Sequence, residues 1–156
     1  MCVNDILQAI EQRIQARYPG EPIYRDSLPK GFERPSFALE CVKEELTDVN
    51  IGLVRRSATV SVLCFVDVDA YGDSSREALN QRKDGILAIF GRGVLTVGDR
   101  SITVSAQKGE GDPALAAVSA AFTWMDARPG YTDSEAQTPE TGGAPLMEHF
   151  EIDRTP

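Results

Sequence analysis

Residues 53–68 read LVRRSATVSVLCFVDV, and this stretch decides the fold. Every second residue from Ala58 onward is apolar, and the residues between them start polar and end as Leu63 and Phe65. Side chains on a β-strand alternate between its two faces, so the spacing predicts one long strand with a buried face. The other face is expected to be wet near its start, at Arg55, Ser57, Thr59 and Ser61. A strand of this kind is typical of an antiparallel sheet with helices packed on its other side.

The chain has 156 residues and a formal net charge of −8, which is compatible with one domain that has its own core. The acidic charge disfavours a nucleic-acid-binding surface, because such surfaces need clustered Lys and Arg. We expect no membrane span and no signal peptide, since no apolar run is long enough and the N-terminus mixes acidic with apolar residues. Cys2, Cys41 and Cys64 have no Cys-x-x-Cys spacing and are expected to be reduced structural thiols of a cytosolic protein.

Two amphipathic helices are predicted, at about 4–17 and 75–90. The apolar stripe of the first is expected to pack on the sheet, and a partner-binding helix is the alternative. Ser74 and Glu77 precede the second helix in the spacing of a capping box. Further strands are predicted at 36–46, 94–97 and 100–107, the last two joined by the hairpin turn Gly98-Asp99.

Two later stretches are harder to interpret. Residues 113–126, PALAAVSAAFTWMD, begin like a helix at Asp112-Pro113 but also alternate like a strand, and periodicity does not decide between them. After residue 128 the composition becomes rich in Pro, Gly, Thr and acidic residues, which is typical of disorder. We therefore predict a domain over residues 1–128 and a flexible acidic C-terminal tail over residues 129–156.

Few residues suggest chemistry. Asp67, Asp69 and Asp73 partly match a calcium loop, but Tyr71 and Ala78 occupy positions that need ligands, so we expect a loop that leads into a helix cap and binds no calcium. His149, the single histidine, lies in the predicted tail, which argues against histidine-based catalysis and zinc binding. Phe122 and Trp124 are expected to be core residues and not a base-stacking platform, because the chain is acidic. No catalytic, cofactor-binding or metal-binding residue is predicted.

Two motifs and the order of the elements resemble a known family. The first motif is Ile23–Phe37, with an Ile-Tyr strand and a loop that ends Gly-Phe-Glu-Arg-Pro-Ser-Phe, and the second is the strand Arg56–Phe65. Over roughly Val3–Asp126 the chain resembles the tail terminator proteins of long-tailed bacteriophages and prophages, of the minor tail protein U-like type. The resemblance implies that 113–126 is a strand that closes the sheet.

The resemblance also implies a function. Proteins of this type form a ring, often of six copies, on the head-proximal end of the tail tube, where they end tube polymerisation and provide the head-joining surface. The expected partners are further copies of the chain, the tail tube protein and a head-completion or connector protein, with no specific nucleic acid and no membrane. The resemblance implies no enzymatic activity and no cofactor, and a location in the virion tail after assembly in the host cytoplasm.

The fold expected from both lines of reasoning is α+β, with a mixed, mainly antiparallel sheet, two helices packed on one face, and the acidic C-terminal tail. Two other functions stay open. One is another head–tail connector, neck or tail-completion protein, which would share the location but contact different partners. The other is a small-molecule-binding or enzymatic α+β domain, which would need a pocket of convergent titratable groups.

Overall fold

Two helices and six strands follow one another along residues 1–131, the part of the chain that this computed structural model describes. In chain order they are α1 (Val3–Arg17), β1 (Ile23–Arg25), β2 (Ser36–Asp48), β3 (Leu53–Phe65), α2 (Arg76–Ile89), β4 (Val94–Val97), β5 (Arg100–Lys108) and β6 (Ala116–Ala127). The strands form one sheet in the order β1-β2-β3-β6-β5-β4. β1 and β2 are parallel, and every other neighbouring pair is antiparallel.

The expected fold class was wrong in its balance and in its layering. The described residues are mostly β, with 44% in strands and 22% in helices, and the six strands form a curled half-barrel. Helix α1 contacts β4 and α2, whereas α2 contacts β3, β5 and β6, and the expected packing of two helices on one face of the sheet is not shown. Long strands twist and coil, and a period of two in the sequence reports which side chains are buried but not how the sheet curves.

The core lies on the inner side of β3, as its alternation predicted. Val60, Val62 and Cys64 are fully buried, and they belong to one cluster with apolar residues of both helices. The helix residues of this cluster are Ile6, Leu7, Ile10, Ile14, Leu79, Ile86 and Phe90. Burying an aliphatic side chain of this size contributes about 1.5–3 kcal/mol. The stripe of α1 is therefore a core stripe, in agreement with the expectation that it packs on the sheet.

The cap of α2 differs from the predicted one. The N-cap is Ser75, whose side chain accepts a hydrogen bond from the Ala78 N–H at 3.5 Å, so the capping box from Ser74 to Glu77 was wrong. Ser74 lies one residue before the N-cap, and its backbone makes other contacts. It forms an isolated antiparallel β-bridge with Val68, and its N–H donates to the Pro113 carbonyl at 2.9 Å. The loop after β3 is thus tied to the loop before β6.

The ambiguous stretch 113–126 contains a strand, as the resemblance implied. β6 lies between β3 and β5 and pairs with β3 along its whole length, from Ala116 opposite Cys64 to Ala127 opposite Leu53. Its inner alanines, such as Ala116 and Ala120, are fully buried. Small side chains at these positions leave room for α2 to approach the middle of the sheet, which explains an alanine-rich central strand.

The Gly-Phe-Glu-Arg-Pro loop of the first motif covers the outer end of β3. The Arg34 guanidinium lies over the adjacent rings of Phe32 and Phe65, 5.1 and 5.2 Å from their centroids. It also donates to the Val66 carbonyl at 2.9 Å and to the Ala114 carbonyl at 3.0 Å. One side chain therefore joins three segments that are distant in sequence, and Phe65 is covered, as expected for the end of this strand.

The predicted boundary between domain and tail, at residues 128 and 129, stays a prediction. Arg128–Tyr131 are described, whereas the rest of the predicted tail, with His149, lies outside the described residues. Within residues 1–131, neither helix is long and apolar enough to cross a membrane.

Candidate assembly surface

β2 has two halves with opposite environments. Ser36–Leu39 are buried, whereas Glu40–Asp48 are exposed apart from half-buried Cys41. We call Glu40–Leu53, which is the exposed half of β2 together with the loop into β3, the edge segment. It lies on the side of the sheet that β1 borders.

The edge segment carries a concentration of exposed apolar side chains. Ile51 is 78% exposed, Val42 59% and Leu46 56%. Val49 and Leu53 are also exposed, so half of the large exposed apolar residues of the described chain lie in this one segment. Single exposed apolar residues are ordinary, but a contiguous group of them marks an interaction surface.

The backbone of the edge segment is also unpaired on its outer side. β1 pairs only with Phe37–Leu39 of β2. The chain then leaves the sheet at Asp26, which has a φ of 60° and whose N–H donates to the Leu39 carbonyl at 3.0 Å. Beyond that point no described residue pairs with the outer edge of β2, and such an edge is a template for another strand.

The loop at the end of the edge segment is held in place. The Asn50 side chain accepts hydrogen bonds from the N–H groups of Gly52 and Leu53, both at 2.9 Å. Arg128 donates to the carbonyls of Ile51 at 2.9 Å and Asn50 at 2.8 Å, and it forms an ion pair with Asp48. The exposed side chains are therefore presented by a fixed backbone, which lowers the entropy cost of binding.

A charge network joins β2 to the end of β6. Arg56 donates to Glu44, and its guanidinium lies 5.6 Å from the centre of the Trp124 ring. Asp126 accepts from Arg100 at 2.7 Å and from the Trp124 indole N–H at 3.1 Å. Burial acts to raise the pKa of Asp126, but these hydrogen bonds and the nearby positive charges outweigh it and lower that pKa below its usual value.

The predicted wet face of β3 is only partly wet. Arg55 is exposed, but Ser57, Thr59 and Ser61 are half-buried among the neighbouring strands. They lie opposite small residues of β6, namely Thr123, Ala121 and Ser119. The middle of the outer face of β3 and β6 is thus made of small uncharged side chains, while Arg55 and Met125 lie opposite each other at one end of it.

The acidic loop after β3 has the local structure of a turn. The Asp69 carboxylate accepts from the N–H groups of Tyr71 at 2.8 Å and Asp73 at 3.0 Å. Within residues 1–131 no group of three or more His, Cys, Asp or Glu side chains is placed to hold a metal ion. The loop leads into the Ser75 cap of α2, and the absence of calcium binding stays a prediction.

The other residues considered in the sequence analysis are two aromatic side chains and three cysteines. Phe122 and Trp124 are core residues, as expected. Burial raises the pKa of the Cys64 thiol to about 12, while Cys2 is exposed and Cys41 is half-buried, and all three are free thiols. Cys2 precedes α1, and its N–H donates to the Asp5 carboxylate at 2.8 Å, which lowers the Asp5 pKa.

Sequence reasoning predicted the strands at this border but missed the surface. The signal was present in the chain: Val42, Leu46, Val49, Ile51 and Leu53 are apolar, yet they do not continue the clean alternation of a buried strand. Apolar residues that fit no core pattern are candidates for contacts with other molecules.

Two comparisons with known proteins bear on identity. A sequence model of a family described as "Phage tail terminator protein" matches residues 5–118, which is more than half of the chain. No curated protein matches the chain. The matched range contains most of α1, the edge segment, the long strand β3 and the beginning of β6. The chain belongs to the phage tail terminator family, a family of structural proteins of the virion tail.

Proposed function

We propose that this protein caps the head-proximal end of a phage tail tube as a ring, of six copies by family resemblance. In this role it ends polymerisation of the tube protein and presents the surface to which a head-completion or connector protein binds. Assembly takes place in the host cytoplasm, and the finished ring is part of the virion. The role is structural and uses no cofactor.

The observation that carries this proposal is the edge segment. A fixed strand edge with exposed Val42, Leu46 and Ile51 costs solubility in a protein that works alone, and natural monomers usually protect such edges. A ring needs two different surfaces on each copy, one for each neighbour, and the contacts must close through a rotation. The edge segment supplies one such surface.

The charge of the chain is compatible with this role. The net charge is −8, and an acidic or neutral ring would let DNA pass without binding its phosphates. The small uncharged residues on the outer face of β3 and β6 provide no cluster of Lys or Arg there.

Addition of the purified protein to polymerising tail tubes tests the proposal. We expect elongation to stop and a ring to be visible by negative stain at one end of each tube. A Leu46→Asp, Ile51→Asp variant that stays folded should lose this effect, whereas Tyr71→Asp, at an exposed site outside the edge segment, should keep it. Unchanged tube length and bare tube ends with the wild-type protein would refute the proposal and favour a connector role.

A further inference from the structure

We infer that the free edge of β2 in one copy pairs in parallel with the β4 edge of the next copy, so that the sheets of neighbouring copies join into one. The inference rests on the proposed ring and names the two surfaces that form its interface. Both surfaces belong to this chain, so the occupant of the edge segment is a second copy.

The β2 edge has hydrogen-bonding groups available in a defined pattern. Phe37 donates its N–H to Pro22 and Leu39 accepts from Asp26, so alternate residues of β2 direct their backbone groups away from β3. A bulge between Cys41 and Lys43 shifts the register with β3 by one residue. After the bulge, the backbone N–H and C=O groups of Lys43, Glu45 and Thr47 point toward β3. The residues whose backbone groups point outward are Glu44, Leu46 and Asp48.

The opposite border of the sheet offers a second free edge. β4 is the last strand in the order, and within residues 1–131 it pairs only with β5. The two-residue turn places Val97 and Arg100 as the closing hydrogen-bonded pair, so Val94 and Thr96 direct their backbone groups outward. Val94 is 45% exposed, and Thr96 is also exposed.

The direction of the strands fits a cyclic assembly. Along the order β2-β3-β6-β5-β4 each step is antiparallel, and the number of steps is even, so β2 and β4 point the same way. When copies are related by rotation about an axis roughly along the strands, β4 of one copy meets β2 of the next in parallel. β1 already pairs with β2 in parallel, and it stops where β4 of the neighbour would begin.

The inner and outer sides of the sheet also match only in a parallel pair. The Leu46 side chain lies on the inner side, level with Arg56, whereas Val94 lies on the outer side, level with Thr103. In an antiparallel hydrogen-bonded pair, the Leu46 and Val94 side chains would lie on the same face. The inner side of one sheet would then continue into the outer side of the next. In a parallel pair, Leu46 lies level with a β4 residue whose backbone groups bond to β5, such as Leu95. The Leu95 side chain is buried on the inner side, as the match requires.

Charge is complementary across the same contact. The exposed half of β2 has four carboxylates, of which those of Glu44, Glu45 and Asp48 form ion pairs within the chain, whereas Glu40 forms none with a described residue. Arg92 lies two residues before β4, is exposed, and forms no ion pair with any described residue. Opposite charges at such a border favour the heterologous pair over two acidic β2 edges facing each other.

Cysteine cross-linking tests the pairing directly. In a Cys2→Ser, Cys41→Ser background, Thr47→Cys and Thr96→Cys are combined in one chain and treated with a short bismaleimide on tube ends or at high protein concentration. These two exposed positions lie level with each other on the outer side when Leu46 lies level with Leu95. Cys64 is fully buried, and burial raises its pKa to about 12, so we expect it not to react. We expect covalent dimers, trimers and larger species up to the full ring. Each single variant should give no cross-linked species.

A proline variant separates backbone pairing from side-chain contact. Leu46→Pro removes an outward N–H, whereas Leu46→Ala keeps it and loses a similar amount of side chain. We expect Leu46→Pro to raise the concentration needed for ring formation at least about tenfold above that of Leu46→Ala, with both monomers folded by circular dichroism.

The outcomes distinguish this inference from the proposed function. Covalent dimers from Thr47→Cys alone would show that two β2 edges pair, and would overturn the inference. Rings on tube ends that never cross-link between the two positions would overturn it too, while the proposed function would stand. Absence of rings and of tube capping under every condition would overturn both.

Discussion

The two halves of β2 form one continuous strand hydrogen-bonded to the same neighbour, yet they serve different purposes. Ser36–Leu39 are sealed by β1 and the core, and they contribute to folding. Glu40–Asp48 have the same neighbour β3, but within residues 1–131 neither an outer strand nor a helix covers them. Strand pairing within a sheet and burial of side chains are therefore separate properties. An uncovered half of a strand is available for assembly.

The largest expected effect is at the β3 core residue opposite the buried half of β2. Val62 is fully buried opposite Leu39, so Val62→Asp places an unpaired carboxylate in the core at a cost of several kcal/mol. We expect this variant not to fold, as measured by circular dichroism and thermal melting. Leu46→Asp in the exposed half is the matched control and should melt cooperatively. A folded Val62→Asp protein would break the distinction between the two halves.

The next prediction concerns the packing of α2 against the buried half of β2. A Cβ at Gly85 would overlap the Tyr18 hydroxyl, and the Tyr18 ring packs against both Phe37 and Arg82. Overpacking costs about 1–3 kcal/mol, and the better helix propensity of alanine returns about 1 kcal/mol. We expect Gly85→Ala to lower the free energy of unfolding by about 1 kcal/mol in urea titrations. Tyr18→Phe, which removes the hydroxyl, should reduce that loss, and an unchanged loss in this background would contradict the clash.

Asp126 gives a pH-dependent effect at the far end of β6. Its folded pKa is lowered, so it contributes stability above its unfolded pKa, and that contribution is lost as the pH falls through the folded pKa. We expect Asp126→Asn to be less stable than the wild type at pH 7, with the difference shrinking below about pH 4, where the unfolded carboxyl is protonated. Urea midpoints at both pH values measure this, and a difference independent of pH would contradict it.

The smallest effect concerns the loop that presents the exposed half. Arg128→Ala removes hydrogen bonds to Asn50 and Ile51 and an exposed ion pair with Asp48, and it should cost about 1 kcal/mol or less. We expect little change in melting temperature but faster proteolysis at residues 49–52. Arg55→Ala, at an exposed arginine on the outer face of β3, is the control and should leave the loop protected. Equal proteolysis of the two variants would show that Arg128 does not hold the loop.

The sequence predicted those helices and strands that are buried along one side only. The alternation of Ala58–Cys64 and the stripe of Ile6, Ile10 and Ile14 predicted β3, α1 and their contact, because burial on one side leaves a direct mark in composition. Residues 113–126 could not be assigned in this way, since alanine suits both a helix and a crowded central strand. The curl of the sheet left no local mark, and it was therefore missed.

The candidate surface was beyond this kind of reasoning for a physical reason. Val42 and Leu46 break the alternation of β2, but only the position where β1 ends shows that no described residue covers them. That end is set by the turn at Asp26, which is a tertiary feature. The parallel direction of β2 and β4 likewise depends on strand order, which is not written in any single segment.

Hydrogen exchange of single amides in β2, before and after assembly on tube ends, tests the central claim most directly. In the monomer, the amides of Glu45 and Thr47 face β3 and should exchange slowly, whereas those of Glu44, Leu46 and Asp48 face solvent and should exchange fast. In the ring we predict that the second group becomes protected while the first stays unchanged. Rings in which Glu44, Leu46 and Asp48 still exchange as fast as in the monomer would contradict the assignment of this edge to assembly.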